Sequence, residues 1–231
     1  MAARGTAVAA DWRPWAAAVA LCAALTILGS GAADSRIWLH YLFKPAATLL
    51  ILLGAWRIVA PVSVRYRRAV LAGIVLSLCG DVFLMLPHSL LAGGFLLGLS
   101  SFLLAHLCFL YALTADTRLF GAPAVALLLF LIGAANLWVL WPGLAFVLWI
   151  PVVLYMLCLL AMVSQAVSRH LALRRPDSLL AAAGGLLFLL SDTLLAYNKF
   201  HAPLPASALW ILSTYYTALF LIARSVAAPP R

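Results

Sequence analysis

Residues 179–200 read LLAAAGGLLFLLSDTLLAYNKF, a long apolar run that ends in polar and charged residues. Its first twelve residues are all apolar or glycine, after which Asp192, Asn198 and Lys199 follow in quick succession. Asp192 and Lys199 are seven positions apart, so on a helix they share a face, about 10 Å from each other along the axis. The stretch therefore predicts a helix that carries opposite charges at the end of an apolar run.

Apolar residues dominate the rest of the chain as well. Of its 231 residues, 67% are hydrophobic and 9% are charged, and the mean hydropathy is +1.12. A soluble domain of this length could not hide so much apolar surface from water, so the composition predicts several membrane spans of about 20 residues. The net charge of +9 comes mostly from arginines that flank the apolar runs. Arginines in that position indicate membrane topology and contact with lipid head groups, and they argue against a nucleic-acid partner.

Short breaks rich in Pro, Gly or Arg divide the chain into eight apolar segments. We predict an all-α membrane protein with eight transmembrane helices, forming a single multi-pass integral-membrane domain over residues 1–231. The predicted spans are residues 15–29, 39–60, 69–86, 90–114, 119–140, 144–167, 179–200 and 207–223. The first span is short, and together with residues 30–33 it also resembles a cleavable signal peptide. Both interpretations of this segment stay open.

The arginines indicate which way the spans run. If the N-terminus is cytoplasmic, twelve arginines fall in the termini and connections on that side, and one, Arg36, falls on the other. Cytoplasmic loops carry an excess of Lys and Arg, so this asymmetry predicts that both termini are cytoplasmic.

The sequence also contains a short internal echo. Residues 78–84 read LCGDVFL and residues 189–195 read LLSDTLL, which matches Asp81 in the third span with Asp192 in the seventh. Corresponding helices at these two places are what two four-helix halves in parallel orientation would produce.

Ionisable side chains inside a membrane are costly and normally face the bundle interior or a water-filled cavity. Two aspartates in unlike surroundings can divide into a protonated acid and an ionised base, the arrangement that glycosidases use on acetal-like bonds. We therefore take Asp81 and Asp192 as candidate catalytic residues, and Lys44 and Lys199 as candidates for binding an anionic head group. The candidate lining residues that accompany them are His106, Asn198, Tyr215 and Tyr216.

Structural explanations compete with these assignments. Each aspartate could be the buried partner of a lysine that only holds helices together, or the lysines near span ends could extend to the head groups. His106 could be a core histidine, and the two tyrosines could be interior aromatics. No serine-hydrolase, zinc-protease or nucleotide-binding motif is present, and the four cysteines all fall inside apolar runs without a CxxC pair.

Several motifs in order resemble one known family, the YhhN-like lysoplasmalogenases. The resemblance covers roughly residues 42–223, and its motifs are KP at 44–45, GDVFLML at 80–86, AHL at 105–107, GLLFLLSD at 185–192, NKF at 198–200 and YY at 215–216. The resemblance implies an eight-helix membrane hydrolase that cleaves the vinyl ether bond of lysoplasmalogens to a fatty aldehyde and a glycerophospho-head group. It implies a lysophospholipid substrate, no cofactor, Asp81 and Asp192 as the catalytic pair, and a lining formed by Lys44, His106, Asn198, Lys199 and Tyr215.

A membrane transporter or channel is the alternative function. Two parallel halves with intramembrane carboxylates also fit a proton-coupled carrier. Against that alternative, Gly and Pro do not interrupt paired helices at mid-span.

Overall fold

Apolar runs in a membrane must satisfy their backbone N–H and C=O groups internally, and helices are the usual way to do so. The computed structural model describes residues 12–30, 36–87 and 89–229, and these residues form eight α-helices and no strand. The helices are α1 (Arg13–Ser30), α2 (Ile37–Trp56), α3 (Val64–Met85), α4 (Gly94–Leu113), α5 (Pro123–Leu140), α6 (Trp149–Leu173), α7 (Pro176–Phe200) and α8 (Ser207–Arg224).

Local sequence explains where several helices begin. The Ser63 side chain accepts a hydrogen bond from the backbone N–H of Tyr66 at 3.0 Å and so caps α3. Pro123 and Pro176 occupy the first positions of α5 and α7, where the missing N–H of proline costs nothing. The residues 31–33 that resemble a signal-peptide cleavage site lie outside the described residues, as do Arg4 and Arg231 of the topology count.

The prediction of an all-helical membrane protein is confirmed, whereas the count of eight spans stays a prediction. Seven of the helices in the described part of the chain are long and apolar enough to cross a membrane. The exception is α8, which carries five consecutive hydroxyl-bearing residues over 213–217. Two of these, Tyr215 and Tyr216, are buried against neighbouring helices.

The helix packing forms a ring with two peripheral members. Neighbouring pairs run α2–α3, α3–α4, α4–α6, α6–α7 and α7–α8, and a contact between α8 and α2 closes the ring. Helix α1 packs outside the ring on α2 and α8, and α5 packs outside it mainly on α6. Large apolar side chains such as Leu127, Leu131 and Trp138 of α5 point outward, as expected for a surface that contacts lipid.

The helices alternate in direction, so the bundle has two distinct ends. Odd-numbered helices finish, and even-numbered helices begin, at the end that holds the α3–α4, α5–α6 and α7–α8 connections; we call this the cavity end. We call the opposite end the basic end, because the described connections and helix ends there carry ten arginines: Arg13, Arg57, Arg65, Arg67, Arg68, Arg118, Arg169, Arg174, Arg175 and Arg224.

Ion pairs join three segments at the basic end. The fully buried guanidinium of Arg169 donates to Asp116 at 2.7 Å and to Asp177 at 2.6 Å, and Arg175 contacts both carboxylates. Burial raises the pKa of Asp116, but its hydrogen bonds to Arg169 and Arg175 and their charges outweigh burial and lower the pKa below its ordinary value. The cluster ties the α4–α5 loop to the α6–α7 connection.

Candidate functional site

A cavity of about 790 Å³ lies at the cavity end of the bundle, and residues from all eight helices line it. Its wall is mostly apolar, with a few polar side chains that converge on it. Asp81, Asp192, Lys44, Lys199 and Tyr215 all belong to the lining. The structure thus brings both predicted carboxylates, both lysines and one of the predicted tyrosines to one space.

Asp81 lies on α3 and is 2% exposed, with donors on both of its carboxylate oxygens. The Lys44 Nζ lies 3.7 Å from Oδ1. The hydroxyls of Thr48 and Tyr215 each donate to Oδ2 at 2.8 Å. Lys44 and Thr48 are one turn apart on α2, and Tyr215 comes from α8, so three helices of the ring meet at this carboxylate.

Asp192 lies on α7 in simpler surroundings. The Tyr155 hydroxyl on α6 donates to Oδ2 at 2.5 Å, a short contact of the kind that a carboxyl group forms with a phenol. Within the described part of the chain Asp192 has no ion pair and no hydrogen bond to Oδ1. The preceding residue, Ser191, donates to the Ile211 carbonyl at 2.9 Å, which fixes this turn of α7 against α8.

The two lysines differ in position. Lys44 is 7% exposed and pairs with Asp81, so the buried ion pair considered for it is present. Lys199 is exposed at the last turn of α7, and its Nζ lies 4.3 Å from the ring centroid of Phe95. The other ion pair considered, between Asp192 and Lys199, is not formed within residues 12–30, 36–87 and 89–229. Lys199 instead lies at the rim of the cavity.

Three of the predicted lining residues lie behind the wall of the cavity. His106 is fully buried, and its ring contacts those of Tyr155 and Phe188 at centroid distances of 5.2 and 4.8 Å. The Asn198 side chain accepts the backbone N–H of Leu204 at 2.9 Å, which shapes the α7–α8 connection. The Tyr216 hydroxyl donates to the Lys44 carbonyl at 3.3 Å. In this structure the three side chains support residues of the lining or the connection beside it.

The sequence analysis missed two residues that donate hydrogen bonds to the carboxylates, Thr48 and Tyr155. Thr48 could have been found from its place one turn after Lys44 on the same helix. Tyr155 has a weaker signal, namely a hydroxyl within the long apolar run that begins α6. Its pairing with Asp192 depends on the packing of α6 against α7, which one sequence does not reveal.

The family model for the YhhN family matches residues 39–226, which is most of the chain. The chain belongs to the YhhN family. It is 34% identical over 208 residues to Lysoplasmalogenase TMEM86B of Sus scrofa, covering 86% of this chain and 80% of that protein. It is 35% identical over 191 residues to Lysoplasmalogenase of Mycobacterium bovis, covering 79% and 70%.

Family members without a named activity are also similar. The uncharacterized membrane protein YhhN of Escherichia coli is 28% identical over 209 residues, which is 90% of this chain and 97% of that protein. No solved structure matches the chain. Family membership confirms the resemblance that the sequence analysis drew from the motifs within residues 42–223.

Proposed function

We propose that this protein is a membrane hydrolase that cleaves the vinyl ether bond of lysoplasmalogen-type lysophospholipids to a fatty aldehyde and a glycerophospho-head group. The observation that carries the proposal is the presence of Asp81 and Asp192 in the wall of one cavity. Relatives at 34–35% identity are named lysoplasmalogenases, which supplies the substrate class.

The cavity suits an amphiphile with one alkyl chain. A volume of about 790 Å³ lies within the usual range for small-molecule sites, about 300–1,000 Å³. Leu137, Leu140 and Leu186 contribute apolar surface that would contact the alkyl chain. Lys199 at the rim supplies a mobile positive charge for the phosphate. Lys44, by contrast, is committed to Asp81, so we assign the phosphate to Lys199 alone.

Acid–base chemistry between the two aspartates accounts for the first half of the reaction. One aspartate, protonated, transfers its proton to the vinyl carbon farther from the ether oxygen. The alkene electrons form the new C–H bond, and the carbon next to the oxygen becomes part of an oxocarbenium ion. The other aspartate, ionised, removes a proton from water as the water oxygen attacks that carbon, which gives a neutral hemiacetal.

The second half of the reaction returns both aspartates to their starting states. The aspartate that took a proton from water now gives it to the departing ether oxygen. The aspartate that first gave up its proton takes one from the hemiacetal hydroxyl, and the C–O bond breaks to yield aldehyde and alcohol. One water molecule is consumed in the whole cycle, and no other reactant is required.

The test compares three lysophospholipids that differ only at the bond to the chain. Purified protein is incubated with 1-alkenyl, 1-alkyl and 1-acyl glycerophosphoethanolamine of one chain length, and aldehyde and free fatty acid are measured. We expect aldehyde from the alkenyl lipid and no cleavage of the alkyl lipid, because a saturated ether cannot be protonated on carbon to an oxocarbenium ion. Absence of aldehyde, with proton-coupled uptake into proteoliposomes, would favour the transporter instead.

A further inference from the structure

The surroundings of the two aspartates repeat along the chain with one difference in chemistry. In the first half, Lys44 on α2 contacts Asp81 on α3. In the second half, Tyr155 on α6 contacts Asp192 on α7. The contacting residues are 37 positions apart in both pairs. The repeat therefore includes the partner of each aspartate as well as the motifs around the aspartates themselves.

The packing of the helices shows the same correspondence. In the first half α2 packs on α3 and α3 on α4, and in the second half α6 packs on α7 and α7 on α8. The two contacts that join the halves, α4–α6 and α8–α2, also correspond to each other. Lys44 and Tyr155 thus occupy equivalent places in the two halves.

Lys44 presents an ammonium to Asp81, whereas Tyr155 presents a phenol to Asp192, so the ionised form is stabilised differently at the two aspartates. A positive charge within about 4 Å of a carboxyl group favours its ionised form. Two hydroxyl donors, Thr48 and Tyr215, add to that effect at Asp81. Asp192 receives one neutral donor, Tyr155, and Oδ1 has no hydrogen-bond partner in the described part of the chain. Of the two sites, the first therefore stabilises a carboxylate more strongly, and the second leaves room for a carboxylic acid.

We propose that the difference between Lys44 and Tyr155 assigns the roles of the two aspartates. Asp81 is the base, and Asp192, positioned by Tyr155, is the proton donor. This inference rests on the proposed function. The Tyr155 hydroxyl holds Oδ2, so that Oδ1 carries the proton delivered to the vinyl carbon. The same hydrogen bond stabilises the carboxylate that forms on Asp192 as the proton leaves.

Aromatic contacts fix the Tyr155 ring in this position. His106 approaches it with an interplanar angle of 64°, and Phe188 contacts His106 from α7 at 81°. Among the residues that the structure describes, the other titratable side chains that line the cavity are His40, Lys44, Asp81, Lys199 and Tyr215. Of these, Lys199 is the cation on α7 itself, and it lies over Phe95.

The test uses two substitutions of Tyr155 and a matched control. Tyr155→Phe removes only the hydroxyl and is expected to lower kcat about tenfold with KM unchanged, the effect of one hydrogen bond to a developing carboxylate. The alkaline limb of its kcat profile should move to higher pH, because Asp192 loses a donor that favours ionisation. Tyr197→Phe, which removes a phenol bonded to Asn136 at 3.0 Å, should keep the wild-type kcat and pH profile.

Tyr155→Lys gives Asp192 a lysine at the place where Asp81 has Lys44. An ammonium there should take away the proton of Asp192, lower kcat at pH 7 about a hundredfold or more, and move the optimum to lower pH. If Tyr155→Phe matched Tyr197→Phe in kcat and pH profile, or Tyr155→Lys kept the wild-type profile, the role assignment would be overturned. A wild-type protein that releases no aldehyde would defeat the proposed function, which is a separate result.

Discussion

Lys44 and Lys199 are the two lysines of the chain, and the structure gives them different surroundings. Lys44 is buried beside Asp81, whereas Lys199 is exposed at the rim of the cavity. On our account Lys44 affects the catalytic step because it stabilises the ionised form of Asp81, whereas Lys199 affects substrate binding because it contacts the phosphate. The sequence suggested a shared role in phosphate binding because the lysines lie near the same end of their spans, and spacing alone does not show which one already has a partner.

Replacing each lysine by glutamine separates these roles. Lys199→Gln should raise KM about tenfold with kcat nearly unchanged, because it removes one charge-assisted contact to the phosphate. Lys44→Gln should lower kcat about tenfold or more, because Asp81 loses the charge that favours its ionised form. The measurement is steady-state aldehyde release. An equal rise in KM for both variants would contradict a catalytic role for Lys44 and a binding role for Lys199.

At the scale of helices, α7 and α8 approach each other closely at Gly184. A Cβ built at Gly184 would lie 2.8 Å from the Ala218 carbonyl oxygen, a backbone atom that cannot turn aside. Gly184→Ala should therefore destabilise the bundle by about 1–3 kcal/mol, the usual cost of overpacking. Gly93→Ala is the control, since a Cβ there meets nothing within 4 Å. Thermal unfolding in detergent compares the two, and equal melting temperatures would contradict close packing at Gly184.

The ion-pair cluster at the basic end predicts a dependence of stability on pH. The pKa of Asp116 is lowered from its ordinary value of 3.8, since its hydrogen bonds to Arg169 and Arg175 and their charges outweigh burial. A carboxyl with a lowered folded pKa contributes stability above its unfolded pKa and loses that contribution as the pH falls through the folded pKa. Asp116→Asn should therefore lower the melting temperature at pH 7, and the difference from wild type should shrink in acid below about pH 3.8. A difference that stays constant with pH would contradict the ion-pair account.

The same cluster explains why α6 extends beyond the sixth predicted span. The sixth predicted span stops at residue 167, but α6 continues to Leu173. The sequence analysis counted Arg169 among the arginines of the connection between the sixth and seventh spans, and an arginine is costly inside a membrane bundle. Asp116 and Asp177 offset that cost, and one of them lies 53 residues earlier in the chain. Helix existence follows from local apolar runs, whereas this helix end depends on a distant partner.

At the scale of the whole molecule, the two ends of the bundle differ in charge. The described connections of the basic end carry the arginines, and the cavity is at the other end. We therefore expect the basic end to face the cytoplasm and the cavity to open toward the opposite side of the membrane. The alternation of helix directions was predictable from the short connections. The ring that brings Tyr155 to Asp192 was not, because one sequence does not say which helices become neighbours.

Labelling of single cysteines tests this orientation. In a variant whose four native cysteines are replaced by alanine, Ala202→Cys in the α7–α8 connection should react with a membrane-impermeant maleimide in intact cells. Ala228→Cys, after α8, should react only once the membrane is permeabilised. The reverse pattern would overturn the orientation without affecting the cavity itself.

The central claim is that Asp81 and Asp192 together perform the chemistry. Its most direct test is aldehyde release from lysoplasmenylethanolamine by purified wild type, Asp81→Asn and Asp192→Asn, with Asp116→Asn at the basic end as the control. The account predicts that both cavity variants lose activity about a hundredfold or more, the usual contribution of a general acid or base, while the control stays active. Aldehyde release at the wild-type rate from both cavity variants would contradict it.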